Sequence, residues 1–215
     1  MKKRKLIDIQ LLKQPKGSLL CGVYCIKMIE CYYRKPKKND EEIQEKIVAS
    51  SPNGRMYSAT YKIGKYLNDL KLDTSIIKFV HLKPILQFCE AHQIPAIMNI
   101  HSFSKTEFGH FVVFVKFIDN AIIIRDPENK RTTINYSDME NSFKKKDEED
   151  EVMGNIIILP VDVIQEKREC VCYKCDFVNI IDVNIINYVE ALICLNCDSL
   201  INVTNQNVEQ MDKDF

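Results

Sequence analysis

The sequence predicts an α+β domain, in which a helical layer packs on an antiparallel sheet, followed by a short cysteine-rich segment. Patterns typical of helices fill the first ninety residues, and runs rich in Val, Ile and Phe come after them. This order favours α+β over βαβ units, in which the two element types would alternate. The second segment is marked by five of the nine cysteines, which fall between residues 170 and 197.

Four helices are predicted, each for its own reason. The first is apolar on nearly every side, which indicates a buried central helix. The second opens with acidic residues in its first turn, the third has apolar residues at helical spacing, and the fourth carries a proline in its first turn. They cover residues 21–33, a segment starting at 39, residues 58–70 and residues 83–92.

Four strands and one boundary follow. The strands are apolar and β-branched, at residues 95–100, 110–118, 121–125 and 155–159. A charged run at 144–151 indicates a solvated loop. A change of composition near residue 166 divides the chain into a domain at 1–165 and a smaller one at 166–215.

Charge and hydropathy exclude several classes of protein. The net charge is zero, unlike that of a protein that coats a polyanion. Residues 170–215 hold two basic and seven acidic residues, a net charge of −5, so we expect no nucleic-acid partner. No run of 18 apolar residues is present, and the basic start is not followed by a signal-like apolar run and cleavage site. We therefore expect no membrane association and a cytoplasmic location.

The first helix begins with a candidate nucleophile. Cys21 directly precedes Gly22 at its start. The N–H groups in the first turn of a helix carry partial positive charge, which stabilises a thiolate. A thiolate attacks carbonyl carbon when a base is within reach. The alternative is a small residue buried at a helix start, which is common for cysteine.

Two residues supply the base and its partner. His110 follows Gly109 and opens a strongly apolar strand, where its ring can face a helix packed on the sheet. Asp126 ends the next strand and precedes Pro127, which stops strand pairing. A carboxylate bonded to an imidazole fixes its tautomer and stabilises its charged form. Asp-Pro is also a common turn opener.

Strand register decides whether these two side chains can meet. A regular two-residue turn at Asp119-Asn120 places Asp126 opposite Val113, on the other face of the sheet from His110. We therefore predict an odd-length loop or a compensating bulge between His110 and Asp126.

Gln14, seven residues before Cys21, is a candidate oxyanion donor alongside the backbone N–H of the nucleophile, or simply a loop residue.

Together these residues resemble the bacteriocin-processing, double-glycine leader peptidase family of papain-like cysteine proteases. The resemblance covers about residues 10–160 and runs through Gln14, Cys21-Gly22-Val23-Tyr24-Cys25, Gly109-His110-Phe111-Val112-Val113, Asp126-Pro127 and Tyr136-Ser137-Asp138-Met139. It implies a papain-like fold, a short helix near residue 136 and a peptide or protein substrate. The implied roles are nucleophile for Cys21, base for His110, orienting carboxylate for Asp126 and oxyanion donor for Gln14.

The chain departs from this family at two positions. The glutamine stands seven residues before the cysteine instead of six, and Leu20 stands where the family usually has aspartate. The intact Cys, His and Asp favour a cysteine peptidase or amide hydrolase that forms an acyl-enzyme. The departures favour a papain-like binding module without turnover, and an acyl or amide transferase could use the same cysteine.

The second segment contains a strong metal-binding pattern. Cys172 and Cys175, and Cys194 and Cys197, form two Cys-x2-Cys pairs separated by 18 residues, a zinc-ribbon spacing. Four thiolates fill the tetrahedral shell of Zn²⁺ and leave no open position, so we expect a structural ion. Cys170 is a further thiol that could compete as a ligand. We also expect this ribbon either to dock a protein partner or to stabilise the domain.

Overall fold

The computed structural model describes residues 7–51, 54–103, 109–144 and 154–203. Within these ranges it has an α+β fold, as the sequence predicts. Five helices and an eight-stranded antiparallel sheet form its main body. No helix in these ranges combines the length and the apolar character that crossing a membrane requires.

The four predicted helices are present, with ends shifted by a few residues, and a fifth lies where the family resemblance implied a short helix. The second is capped by Asn39, whose side chain accepts a hydrogen bond from the backbone N–H of Glu42. The fourth ends at Gln93, which takes a left-handed conformation with φ 59°. The helices are α1 (Cys21–Tyr32), α2 (Asp40–Ile47), α3 (Thr60–Asp69), α4 (Leu82–His92) and α5 (Tyr136–Ser142).

The large sheet contains all four predicted strands and four others, and every neighbouring pair in it is antiparallel. From one edge to the other the strands are β12 (Leu200–Asn202), β11 (Val189–Ile193), β3 (Asp73–Phe79), β8 (Ile156–Val161), β4 (Ile97–His101), β5 (Gly109–Ile118), β6 (Ala121–Arg125) and β7 (Thr133–Asn135). Two small hairpins lie outside it, formed by β1 (Val48–Ser50) with β2 (Met56–Ser58), and by β9 (Lys167–Val171) with β10 (Val178–Asp182).

Helix α1 lies in the core, as its apolar character predicts. Its buried residues include Val23, Ile26, Met28 and Ile29, none of them more than 1% exposed. Glu30 is the buried acidic exception, and one of its carboxylate oxygens accepts a hydrogen bond from the Tyr66 hydroxyl. Burial is the main cause of the raised pKa of this carboxyl.

The β5–β6 hairpin confirms the prediction about register. Its turn is the regular two-residue type, since Ile118 pairs with Ala121. A bulge follows, because Phe114 pairs with Ile124 whereas Lys116 pairs with Ile123, which leaves Val115 as the extra residue. This single added residue moves Asp126 to the face of the sheet on which His110 lies.

The two halves of the cysteine-rich segment have different neighbours. The first half forms the β9–β10 hairpin, a sheet of its own. The second half forms the β11–β12 hairpin. Because β11 pairs with β3, the β11–β12 hairpin extends the large sheet that also carries His110. A division into separate domains at residue 166 stays a prediction, and strand pairing crosses that point.

Candidate active site

The nucleophile candidate lies where the first helix begins. Cys21 is the first residue of α1, and no side chain caps this end of the helix. The thiol is partly exposed, whereas Cys25, one turn later in the same helix, is fully buried. Burial raises the pKa of Cys25 well above its ordinary value, so this neighbour is kept protonated and out of reach.

A close approach holds the start of α1 in place. A methyl group at Gly22 would lie 3.1 Å from Cβ of Ser58 and 3.2 Å from Cδ1 of Ile63. A larger residue at this position would therefore crowd the N-terminal part of α3. The absence of a side chain at Gly22 lets α1 sit directly against this region.

His110 lies between Cys21 and Asp126, its two predicted partners. Its Nε2 atom is 2.8 Å from Oδ1 of Asp126, and the Cys21 thiol is near enough to affect the His110 pKa. Burial lowers the pKa of His110, but the hydrogen bond with Asp126 and the interaction with Cys21 outweigh burial and raise the pKa to about 9. Phe103 packs edge-on against the imidazole, with 6.0 Å between ring centroids. The ring is therefore held in position and favoured in its charged form.

The carboxylate of Asp126 is fixed by its own turn. It is fully buried and accepts hydrogen bonds from the backbone N–H groups of Glu128, Lys130 and Arg131, at 2.8, 2.9 and 3.0 Å. Burial acts to raise its pKa, but the bond from His110 and these backbone bonds hold the pKa below its usual value. A buried, charged carboxylate thus faces the imidazole.

Gln14 is hydrogen-bonded to the turn that follows Asp126. Its backbone N–H donates to the carbonyl of Pro127 at 3.0 Å, and its side-chain amide donates to the carbonyl of Ser18 at 2.7 Å. The intervening turn uses Gly17, whose φ of 79° suits glycine. The side-chain amide is thus directed toward the loop that leads into α1.

A cleft of about 140 Å³ opens beside Cys21. One wall comes from the β1–β2 hairpin, which sequence reasoning missed because its strands are three residues long and carry no clear alternation. The walls are mainly apolar, and their apolar residues include Leu19, Val48, Met56, Tyr57 and Phe111. The polar residues of the lining are Gln44, Arg55, Ser58 and Asn99.

The four predicted metal ligands form one cluster. Their sulfur atoms lie within 4.8 Å of one another, with 3.6 Å between Cys172 and Cys197 and 3.6 Å between Cys175 and Cys194. Sulfur atoms bound at about 2.3 Å to a tetrahedral zinc ion lie about 3.8 Å apart. The spacing therefore fits a tetrahedral four-thiolate metal site.

Each cysteine pair forms the same type of loop. The backbone N–H of Asp176 donates to the carbonyl of Cys172 at 2.8 Å, and that of Asp198 donates to Cys194 at 3.1 Å. Both aspartates have positive φ, 55° and 63°. We call residues 172–175 the first knuckle and residues 194–197 the second knuckle.

The surroundings of the cluster suit thiolate ligands. The Cys194 sulfur accepts hydrogen bonds from the Asn196 backbone N–H at 3.4 Å and from the Asn179 amide at 3.6 Å. A hydrogen bond with Ser199 lowers the pKa of Cys197 to about 6. Cys170 is fully buried on β9 and is not a member of the cluster found among the described residues. All nine cysteines are free thiols.

Comparisons with known proteins agree with this geometry. The Peptidase C39 family matches residues 14–146, a range that includes Gln14, Cys21, His110 and Asp126. No curated protein sequence matches the chain.

Three solved structures share the fold. A double glycine motif protease from an AMS/PCAT transporter, in complex with the leader peptide, is 20% identical with a TM-score of 0.52, and the match covers 74% of this chain and 96% of that chain. The peptidase domain of Streptococcus ComA, a bi-functional ABC transporter involved in a quorum sensing pathway, is 13% identical with a TM-score of 0.53 and coverages of 72% and 99%. A C39-like peptidase from Bacillus anthracis is 14% identical with a TM-score of 0.52 and coverages of 72% and 95%.

Proposed function

Because this chain belongs to the Peptidase C39 family and is a cysteine peptidase, we propose that Cys21, His110 and Asp126 carry out its catalysis. One observation carries the assignment: the His110 imidazole is hydrogen-bonded to the buried carboxylate of Asp126 and interacts with the Cys21 thiol at the start of α1, which raises the His110 pKa. The peptidase interpretation of the sequence is thereby favoured over a binding module without turnover, in which nothing would maintain this alignment.

In the first step the Cys21 thiolate attacks the carbonyl carbon of the scissile amide. The imidazolium of His110 then gives its proton to the leaving amine, and a thioester to Cys21 remains. In the second step neutral His110 takes a proton from water, and the resulting hydroxide attacks the thioester. The carboxylic acid leaves and Cys21 returns to the thiolate, with Asp126 stabilising the charged imidazole throughout.

We assign oxyanion stabilisation to the start of α1 and to Gln14. The backbone N–H groups in the first turn of a helix have no partner within the helix, and that of Cys21 lies next to the reacting sulfur. The Gln14 amide, bonded to the Ser18 carbonyl on the loop that enters α1, is the second donor that we assign. One of its two N–H bonds is used in that contact, and the other is the one that would serve the oxyanion.

The substrate is a peptide or protein segment, and we infer that it places an apolar side chain in the cleft beside Cys21. Met56 is 57% exposed and Tyr57 is 37% exposed on the wall of that cleft, and Leu19 at its edge is 73% exposed. Covering apolar surface of this kind stabilises a complex by about 25 cal/mol per Å² of area removed from water.

We infer that the four-cysteine cluster holds one structural Zn²⁺. Four thiolates at this spacing complete a tetrahedral shell, so that no position is left for water or substrate. Nine free cysteines and a thiolate metal site suit a reducing compartment, which supports a cytoplasmic location.

A proteome-derived peptide mixture tests the proposal. The zinc-loaded chain should generate new peptide termini, found by mass spectrometry, that are absent with Cys21→Ala and His110→Gln. Cys31→Ala, which removes a partly exposed thiol at the other end of α1, is the matched control and should cleave like the unaltered chain. Cleavage that persists in Cys21→Ala would refute the assignment, and aminolysis products instead of hydrolysis products would indicate an acyl transferase.

A further inference from the structure

The second knuckle packs against helix α3 of the peptidase. Leu195 lies between two of the metal-ligand cysteines and is 2% exposed. A methyl group added at Gly64, in the middle of α3, would lie 2.8 Å from Cδ2 of Leu195 and 2.6 Å from Cδ1 of Ile76. Leu195 therefore fits into the space that Gly64 leaves open, in contact distance of both the helix and strand β3.

Two further contacts join the same elements. The Lys65 ammonium donates a hydrogen bond to the side-chain carbonyl of Asn196 at 2.9 Å. Strand β11, which ends directly before Cys194, pairs with β3 so that Leu192 lies opposite Ile77. The second knuckle is thus held to the peptidase by apolar packing, a side-chain hydrogen bond and the strand that leads into it.

Helix α3 also packs against the start of α1, next to Cys21. Ile63, the residue before Gly64, is the side chain that would lie 3.2 Å from a methyl group on Gly22. Gly22 directly follows Cys21 in α1. Consecutive residues of one helix therefore contact the start of the nucleophile helix and the metal-binding knuckle, and α3 lies between the two sites.

We propose that metal binding by the four cysteines positions α3 and, through it, Cys21 relative to His110. This inference rests on the proposed roles of these two residues. A short segment with a small apolar core depends on its metal for order, so metal loss releases Leu195 from α3. The cavity left beside Gly64 allows α3 to move, and a displacement of about 1 Å at a catalytic pair costs on the order of 100-fold in rate.

Alkylation of Cys21 tests the coupling without a known substrate. The full chain is treated with iodoacetamide at pH 6, in its zinc-loaded form and after removal of zinc by a high-affinity chelator, and each cysteine is followed by peptide mass spectrometry. We expect Cys21 to react at least roughly 10-fold more slowly without zinc, because its alignment with His110 is lost. Readdition of Zn²⁺, but not of Mg²⁺, should restore the rate, because thiolates are poor ligands for magnesium.

The variant Leu195→Ala distinguishes the effect of positioning α3 from the effect of binding the metal. Leu195→Ala keeps all four ligands, so it should bind one zinc ion per chain and still slow Cys21 alkylation roughly 5-fold. The pH midpoint of alkylation should move upward, and Leu195→Met should restore both. Leu86→Ala is the matched control, since it removes a buried leucine side chain from α4, outside both α3 and the hairpin that carries the second knuckle. Its pH midpoint should equal that of the unaltered chain even where its melting temperature falls equally.

The outcomes distinguish this inference from the proposed function. If Cys21 of the zinc-loaded chain reacts no faster than Cys31, the nucleophile assignment fails. If Cys21 is selectively reactive and keeps its rate and pH midpoint in both Leu195→Ala and the zinc-free chain, the coupling is overturned. Should Leu195→Ala not fold, Leu195→Val, which shortens the side chain by one methylene, carries the same test.

Discussion

The Nε2 atom of His110 lies 2.8 Å from Oδ1 of Asp126. Strands β5 and β6 are joined by a two-residue turn, and the register of that turn alone would place these two side chains on opposite faces of the sheet. The bulge at Val115 brings the two side chains to one face of the sheet. Because backbone N–H groups hold both carboxylate oxygens of Asp126, the imidazole meets an acceptor whose direction is fixed before any substrate binds.

Cys21 should be the most reactive of the thiols in the peptidase segment. Iodoacetamide near pH 6 should label it well before Cys25, Cys31 and Cys89, because Cys21 interacts with an imidazole whose raised pKa favours the charged form. Cys25 and Cys89 are fully buried, and burial raises the pKa of both. Cys31 is a useful internal control, since it is partly exposed but lies in the last turn of α1, at the other end of the helix from Cys21.

The replacement His110→Gln should abolish this selectivity and leave the labelling of Cys31 unchanged. Peptide-resolved mass spectrometry over a time course gives the individual rates, with zinc kept bound so that the knuckle thiols do not contribute. Equal, slow labelling of Cys21 and Cys31 in the unaltered chain would contradict a catalytic role for Cys21.

Asp126→Asn should lower kcat/KM by roughly 10²–10⁴-fold, because the imidazole loses the partner that fixes its tautomer. It should also lower the melting temperature. The new amide group would face the backbone N–H groups of Lys130 and Arg131, so that donors point at donors. Cleavage kinetics and thermal unfolding measure the two effects separately.

Asp119→Asn is the matched control for that experiment. It makes the same chemical change at an exposed position in the turn of the same hairpin. We expect less than roughly twofold change in kcat/KM and a stability within about 0.5 kcal/mol of the unaltered chain. An Asp126→Asn enzyme with unaltered turnover would remove Asp126 from the mechanism.

The activity should fall as pH rises through about 9. The pKa of His110 is raised to about 9, and above this pH the ring lacks the proton that it must give to the leaving amine. In Asp126→Asn, which removes the main cause of the raised His110 pKa, the basic limb should move to lower pH, and a limb that stays near pH 9 would show that another group is responsible. The pH dependence of kcat/KM on a cleaved peptide measures this limb.

The free energy of unfolding should also depend on the protonation of His110. The folded-state pKa of His110 lies above its ordinary value of 6.5, so protonated His110 stabilises the fold fully below pH 6.5. This contribution is lost as pH rises from 6.5 through about 9, and His110→Gln should lack that loss. Urea unfolding at pH 6, 7.5 and 9 compares the free energies of unfolding. Parallel pH profiles for the two proteins would contradict the prediction.

Metal analysis should find about one zinc ion per chain, and Cys175→Ser should lose it because a four-thiolate site then lacks one ligand. Cys170→Ala, two positions before the first knuckle but outside the cluster, should keep its zinc. Hydrogen exchange should show that zinc loss opens β9 and β10 first, since their hairpin forms no part of the large sheet. An ordered hairpin without metal would refute a structural role for zinc.

Much of the site follows from local pattern. The start of α1, the strand that His110 opens and the two knuckles are each marked by a few neighbouring residues. The bulge is predictable because residues alternate between the faces of a strand, so that His110 and Asp126 can meet only if one extra residue intervenes. The start of α2 at Asn39 likewise follows capping chemistry.

Strand β3 is absent from the sequence-based prediction for a physical reason. Its buried residues include Thr74 and Ser75, whose polar side chains hide the apolar pattern of a strand. Both hydroxyl groups donate hydrogen bonds to backbone carbonyls, that of Thr74 to the nearby Leu72 and that of Ser75 to the distant Ile180. The pairing of β11 with β3 joins residues more than 100 positions apart, and no local pattern encodes it.

That pairing has a consequence for any shortened form of the enzyme. If the chain ended at residue 165, β3 would become the outermost strand of the sheet, with the N–H and C=O groups that now face β11 left open. An exposed strand edge next to Ile76 and Ile77 is a template for pairing with another molecule, which leads to aggregation. The cysteine-rich segment therefore protects the solubility of the peptidase, and a truncated enzyme should precipitate even where its catalytic residues are intact.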